Sequence, residues 1–264
     1  MAISNSLNSG VNGIKTFSKS LEVIGDNIAN VNTTGFKGSR VTNKDSFSQT
    51  FREGNTVTNG MQVGSGTSVA SISQKFTQGV LSTTAGPTDL GISGSAFFKV
   101  SDGTNIFYTR AGDFRLDTTG KLVTNGGLKV QNLAGTADVE IKADTGKTIS
   151  SFTINKDGTI KIAHTDGTMS ATTALHQIGL FSVPNPNGLK REGDNLLSSN
   201  DASGAPVVAT AGANDIIQGT LELSNVDLTE QFSDLIVAQR AFQANSRIVT
   251  VSDSVLEEVV NLKR

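Results

Sequence analysis

Residue types that carry out catalysis are sparse in this chain. Two imidazoles, His164 and His176, are the only side chains suited to general-base work near neutral pH, and both lie in or beside a Thr-rich segment. No G-x-S-x-G nucleophile turn lies near either, so both read as surface or structural histidines. Cysteine is absent, which excludes thiolate catalysis, thiolate metal sites and disulfides. Gly146-Lys147-Thr148 imitates the end of a phosphate-binding loop. The opening glycine of that motif is replaced by Ile141 and no helix pattern follows. Gly64-Ser65-Gly66 lacks the preceding strand and following helix of a dinucleotide fingerprint. Asn155-Lys156-Asp157-Gly158 opens like a calcium loop but lacks the closing Glu, so it reads as a turn. Acidic residues are scattered, with no pair singled out for glycoside chemistry. With 13 Phe, one Tyr and no Trp, a sugar-stacking platform is not expected. The expectation is a protein that is not an enzyme and holds no cofactor and no metal.

The balance of 22 basic and 24 acidic residues leaves no electrostatic footprint for nucleic acid or an anionic membrane. Charged residues make up 17% of the chain, and Gly, Ser, Thr, Asn and Gln dominate its polar surface. Such an uncharged-polar surface suits extended contact with other subunits. The first residues offer neither a charged n-region nor an apolar h-region, and no apolar run approaches a membrane span. Composition alone therefore points to the cytosol, and it is blind to export without a cleaved signal.

The elements that could position anything are two long terminal helices around a β-rich middle. Leu7, Ile14, Leu21 and Ile28 recur every seven residues; Ile3, Gly10, Phe17, Ile24 and Val31 fill the interleaved seam. Leu228, Leu235, Phe242, Val249 and Leu256 repeat the period at the other end, with Ala238, Asn245, Ser252 and Val259 as a smaller second seam. A sustained apolar heptad makes a narrow stripe that another helix must cover. The first helix is expected over about residues 3–31, despite Gly10, Gly13 and Gly25, each costing about 1 kcal/mol relative to Ala. The second starts at Ser224 with Asp227, or at Asp227 with Glu230, and runs to Leu262 without Gly or Pro. Lys263 and Arg264 suit its negative end.

Between the helices the period switches to two. Strands are expected at 97–100, 105–109, 114–116, 121–123, 151–154, 159–163 and 178–183, separated by Gly- and Asp-containing turns. Such spacing favours hairpins over βαβ units. The Gly-, Asn-, Ser- and Thr-rich stretch from Lys44 to Gly66 reads as an irregular linker.

The residues also resemble a known family. Ser9-Gly10-Val11-Asn12-Gly13 and the run from Val23 through Asn30-Val31-Asn32-Thr33-Thr34-Gly35-Phe36-Lys37 resemble the N-terminal motif of bacterial flagellar rod and hook proteins. Leu221-Glu222-Leu223-Ser224-Asn225-Val226-Asp227-Leu228 and Ala238-Gln239-Arg240-Ala241-Phe242-Gln243-Ala244-Asn245 resemble the matching C-terminal motif. Phe76-Thr77-Gln78-Gly79, Tyr108-Thr109-Arg110-Ala111-Gly112-Asp113-Phe114 and Pro186-Asn187-Gly188-Leu189 are similar to its central signature. Residues 135–174 are outside the resemblance. Wording near the ends, including 47–50 and 259–264, leans toward the hook protein; the length leans toward the distal rod protein. The hook is the preferred reading and the distal rod the alternative. A secreted oligomeric adhesin is the alternative of another class.

The resemblance implies an α+β, mostly β fold with the terminal helices packed as an antiparallel coiled coil. Residues 1–34 with 222–264 would form a channel-lining helical domain, 35–75 an extended linker, and 76–221 a β-rich outer domain with a reduced insertion at 135–175. Leu7, Ile14, Leu21, Ile24, Ile28, Leu228, Leu235, Phe242, Val249 and Leu256 are the expected assembly residues. Gln239, Asn245, Ser246 and Ser252 are the polar candidates for facing a channel. The implied partners are further copies in a helical polymer, other axial, cap and junction proteins, and the flagellar type III export apparatus. Neither nucleic acid nor membrane insertion is expected.

Overall fold

The computed structural model describes residues 2–54, 56, 59–142, 147–170, 176–209, 212 and 214–262. The chain divides into two compact units, one of residues 1–29, 39–75 and 226–264, the other of residues 30–38 and 76–225.

The first unit contains both long helices, α1 (Ala2–Ala29) and α2 (Leu228–Asn261). Of the two starts open for α2, Asp227 is used: its carboxylate accepts from the backbone N–H groups of Thr229 and Glu230. That satisfies two of the donors orphaned at a helix N-terminus. Four strands accompany the helices. Ser39–Asp45 pairs antiparallel with Thr67–Gln74, and Ser48–Arg52 with Met61–Gly64. The stretch read as an irregular linker is therefore largely strand. Its residues are mostly exposed on both faces, so no apolar alternation announced them.

The expected coiled coil is corrected by the burial pattern. Knobs-into-holes packing requires large apolar side chains inserted at the seam. Here the buried positions on α1 are Gly10, Gly13, Thr16, Ile24 and Asn27, and on α2 only Ala238 and Ser252. Leu7, Ile14, Leu21 and Ile28 are half-buried, while Leu228 and Leu256 are 40% and 38% exposed. What joins the helices is close contact of small and polar residues. A Cβ on Gly10 would lie 3.0 Å from Val249 Cγ2, and one on Gly13 2.7 Å from the Asn245 amide. Ser6 Oγ lies 3.3 Å from Ser252 Oγ, and Asn27 Nδ2 donates to Gln231 Oε1 at 2.8 Å. The side chain of Ile3, and Lys263 and Arg264, lie outside the described residues.

The second unit is mostly β. Its main sheet runs in the order Lys190–Gly193, Leu196–Ser198, Ile106–Thr109, Phe97–Ser101, Lys129–Val130, Leu122–Val123 and Arg115–Leu116, all antiparallel. Leu180–Ser182 joins beside Phe97 and Phe98, and Val207–Val208 pairs with it. Smaller pairs surround this sheet: Leu90–Ser93 with Asp215–Gln218, Leu81–Thr83 with Thr220–Glu222, and Ile149–Ile154 with Ile160–His164. The last pair turns at Gly158, whose φ of +81° favours glycine. A core built on Phe98, Phe114, Leu90, Ile92, Ile160, Ile162 and Ile216 lies among these strands. Phe98 and Phe114 meet edge to face at 5.0 Å. A second cluster gathers Phe97, Tyr108, Phe181, Val183, Leu189 and Leu197.

Candidate functional site

Both histidines are buried within the second unit. His164 is 3% and His176 9% exposed, and among the described residues no cluster of three or more His, Asp or Glu could hold a metal. Lys147 Nζ donates to Thr168 Oγ1 at 2.7 Å, and Gly146 lies outside the described residues. Asp157 Oδ1 accepts from the Thr159 N–H at 3.1 Å, closing the turn before Thr159.

The first unit instead presents apolar surface. Along α2, Ile248, Val251, Val255, Val259 and Leu262 are all exposed. Their spacing of three and four residues puts them on one helical face. Phe232, Ile236 and Val237 extend the exposed apolar surface toward the N-terminal half of the helix. A second exposed set, Phe47, Phe51, Met61 and Val63, lies on and beside the hairpin strands Ser48–Arg52 and Met61–Gly64. Water contact at so many large side chains is costly, at about 25 cal/mol per Å² of apolar surface.

The expected assembly residues are thus split by the fold. Ile24 is buried; Leu7, Ile14, Leu21, Ile28, Leu235, Phe242 and Val249 are half-buried; Leu228 and Leu256 are exposed. The polar candidates are split too. Gln239 is exposed and Ser246 half-buried, with its hydroxyl donating to Phe242 O at 3.0 Å. Asn245 packs where a Gly13 side chain would stand, and Ser252 is buried beside Ser6.

Asn27 is a residue that heptad logic overlooked. Its amide is buried at 3% exposure and holds the strand start at Ser39 from both sides. Asn27 Nδ2 donates to Ser39 O at 2.8 Å, and the Ser39 N–H donates to Asn27 Oδ1 at 2.8 Å. The same helix face reaches the next strand region: Asn12 Nδ2 donates to Ser65 O and Thr16 Oγ1 to Thr67 O.

The second unit contains a buried charge cluster that pattern reading also missed. Lys37 Nζ lies 2.6 Å from Glu222 Oε1, and Arg110 Nη1 lies 3.2 Å from Glu222 Oε2. Their side chains are 5%, 2% and 0% exposed for Lys37, Arg110 and Glu222. Lys37 also donates to Thr77 O at 2.9 Å, and the Gly79 N–H donates to Glu222 Oε1 at 2.8 Å. Arg110 Nη2 donates to Gly94 O at 2.8 Å, and its guanidinium lies 5.0 Å from the Phe97 ring centroid. Burial lowers the pKa of both cations, and the Glu222 carboxylate works against that shift. Asn225 completes the tie. Its Oδ1 accepts from the Gly38 N–H at 2.9 Å and its Nδ2 donates to Thr77 O at 3.0 Å. Residues 37–38, 77–79 and 222–225 each lie within a few positions of a point where the chain passes between units. One carboxylate and one amide therefore pin all three segments.

The local pattern around Glu222, set between Leu221 and Leu223, pointed the other way. Strict alternation would turn the charge outward and the leucines inward. The structure does the reverse, burying Glu222 and leaving Leu223 37% exposed.

Comparison with known proteins gives three family matches along the chain. Residues 7–37 match the family described as flagella basal body rod protein. Residues 91–162 match the flagellar hook protein FlgE/F/G D1 domain, and 217–262 the flagellar basal body rod FlgEFG protein C-terminal region. The flagellar basal-body rod protein FlgG of Bacillus subtilis (strain 168) is 44% identical over 269 residues, covering 98% of this chain and 99% of its own. That of Borreliella burgdorferi is 36% identical over 256 residues, covering 92% and 93%. The flagellar hook protein FlgE of Borreliella burgdorferi is 27% identical across an alignment of 438 positions, covering 98% and 99%. The motif residues Lys37, Arg110 and Glu222 thus find a physical role as the charge cluster, in a chain that belongs to the bacterial flagellar rod and hook protein family, a family of structural proteins and not of enzymes.

Proposed function

We propose that this chain is a rod subunit of the flagellar basal body, in the position of the distal rod and not of the hook. The rod protein of Bacillus subtilis aligns end to end at this chain's own length, whereas alignment with the Borreliella hook protein spans 438 positions against 264 residues here. The C-terminal part of the wording that favoured the hook lies largely within residues 217–262, a region whose family description names rod and hook proteins together, whereas 47–50 lies outside the family matches. Length and overall identity therefore outweigh it.

In this reading subunits polymerise into a tubular helical structure that transmits torque and encloses an export channel. They reach it as unfolded chains through the flagellar type III pathway. The observation that carries the assembly role is the exposed stripe of Ile248, Val251, Val255, Val259 and Leu262 on α2. A stripe of that extent is covered most simply by neighbouring subunits. Gln239, exposed on the same helix, is available to line a channel.

Val251→Asp is the direct test of the assembly role. It places a charge on the stripe at a position 62% exposed, so the isolated subunit keeps its fold. Loss of polymer and of motility, with unchanged thermal unfolding of the subunit, is expected. Assembly at the wild-type level overturns the role of the stripe. Electron microscopy of basal bodies from cells lacking this chain separates rod from hook. A truncated rod without a hook supports the rod; a complete rod lacking only its hook overturns it.

A further inference from the structure

We propose that Asn59 is a spontaneous modification site, losing its side-chain amide to give aspartate and isoaspartate ahead of every other Asn-Gly asparagine in the chain. Four Asn-Gly pairs occur, at Asn12, Asn59, Asn125 and Asn187. Glycine in the second place is the most permissive neighbour, because no Cβ hinders approach of its backbone nitrogen to the preceding side chain. In the reaction the Gly60 nitrogen loses its proton and bonds to Asn59 Cγ. The side-chain nitrogen leaves as ammonia, closing a five-membered imide. Water then opens one of the two imide C–N bonds, so one water is consumed, one ammonia is released and nothing is oxidised or reduced.

Three of the four sites are held against this chemistry. Asn12 lies inside α1, where forming the imide would break helix, and its Nδ2 donates to Ser65 O at 3.1 Å. Asn125 Nδ2 is engaged by the Asp113 carboxylate. Asn187 sits in the single turn Pro186–Gly188, where the Gly188 nitrogen is committed to Asn185 O at 3.1 Å.

Asn59 has none of these restraints. It is exposed between the paired strand ends Arg52 and Met61, and among the described residues its side chain makes no hydrogen bond. A hydrogen bond to its backbone points the same way. Arg52 Nη2 donates to the Asn59 carbonyl oxygen at 2.9 Å. A guanidinium on that oxygen draws electrons from the Asn59-Gly60 peptide and makes the Gly60 N–H a better acid. The product carboxylate would form beside the same guanidinium, and the isoaspartate form would lengthen the backbone between the two hairpin strands.

The full-length chain is incubated in mildly alkaline buffer, with and without urea, and deamidation at each of the four asparagines is followed by peptide mass spectrometry. Isoaspartate is scored separately with an isoaspartyl methyltransferase. In the folded chain Asn59 is expected to convert about tenfold faster than any of the other three, a difference that a modest barrier change supplies. In urea the four rates should converge. Gly60→Ala should slow conversion at Asn59 and leave Asn125 unchanged; an alanine Cβ there would meet its nearest atom, Gly54 N, at 3.3 Å. Faster conversion at Asn12, Asn125 or Asn187 in the folded chain overturns the proposal. So does the same ranking in urea, or an undiminished Asn59 rate in Gly60→Ala.

Discussion

Lys37 and Glu222, 185 positions apart in the chain, meet in a buried ion pair 2.6 Å long. Glu222 is shared, for Arg110 occupies its other oxygen and the Gly79 N–H adds a third donor. The cluster holds two cations and one anion, so its members are not equivalent.

Removing the anion should therefore cost more than removing one cation. Glu222→Gln leaves Lys37 and Arg110 buried together without a counter-charge, and a loss of about 3–5 kcal/mol is expected. Lys37→Met leaves the Arg110–Glu222 pair intact and should cost on the order of 1–2 kcal/mol, mostly from donors and acceptors left unmatched. Urea denaturation of both full-length variants, followed by intrinsic tyrosine fluorescence of the single Tyr108, would order them. If Lys37→Met proved the more damaging, Glu222 would not be the hub of the cluster.

Several strands of the second unit were legible because their apolar residues face a core with period two, whereas Leu90–Ser93, Lys190–Gly193, Leu196–Ser198 and Asp215–Gln218 were not among those expected. Phe97–Ser101, Ile106–Thr109 and Ile160–His164 lie where alternation puts them, with small shifts at the ends. The strands between Ser39 and Gln74 were not legible, since they cover little apolar surface and carry polar side chains on both faces. The helices were legible as helices but not in their packing. Heptad reading assigns contact to the large apolar residues, and here Gly10, Gly13, Asn27, Ala238 and Ser252 provide much of it. The charge cluster was hidden for a related reason. A buried charge needs partners far apart in sequence, and no local period reports them.

The glycines of α1 separate two roles that composition merges. A Cβ at Gly25 meets nothing within 4 Å, so Gly25→Ala should stabilise the chain by about 0.5–1 kcal/mol through helix propensity alone. Gly13→Leu would drive a side chain into the space held by Asn245 and should destabilise by about 1–3 kcal/mol. Helical circular dichroism through a thermal ramp distinguishes them. Equal shifts in one direction would show that propensity, not approach of α2, governs both positions.

Gly112 should tolerate no side chain. A Cβ there would lie 1.7 Å from Leu90 O, and the Gly112 carbonyl accepts from the Leu90 N–H at 3.0 Å. The overlap is with backbone, so no rotamer change relieves it, and Leu90 is fully buried in the main core. Gly112→Ala is expected to abolish the dispersed amide spectrum of the second unit. A well-dispersed spectrum with unchanged Leu90 exchange protection would contradict the placement of this crossing.

Two aspartates should respond to acid with opposite sign. Burial works to raise the pKa of Asp138, but Lys121 at 2.9 Å, Gln131 at 2.8 Å and Lys129 at 3.8 Å overcome it and hold the carboxyl below its ordinary 3.8. The unfolded chain then takes up this proton before the folded one. The stabilisation is present above pH 3.8 and is lost as pH falls through the depressed value. Asp113 is the reverse case. Burial and the nearby Asp89 carboxylate raise it, with the Asn125 hydrogen bond and Arg115 opposing. The folded chain binds that proton more tightly, so its contribution is fully present below 3.8 and is lost as pH rises through the elevated value. Carboxyl carbon NMR titration should place the Asp138 midpoint below 3.8 and the Asp113 midpoint above it. Asp138→Asn should lower the urea midpoint at neutral pH and converge on wild type in acid. A variant that stayed equally far below wild type at both ends would show that Asp138 acts by shape and not by charge.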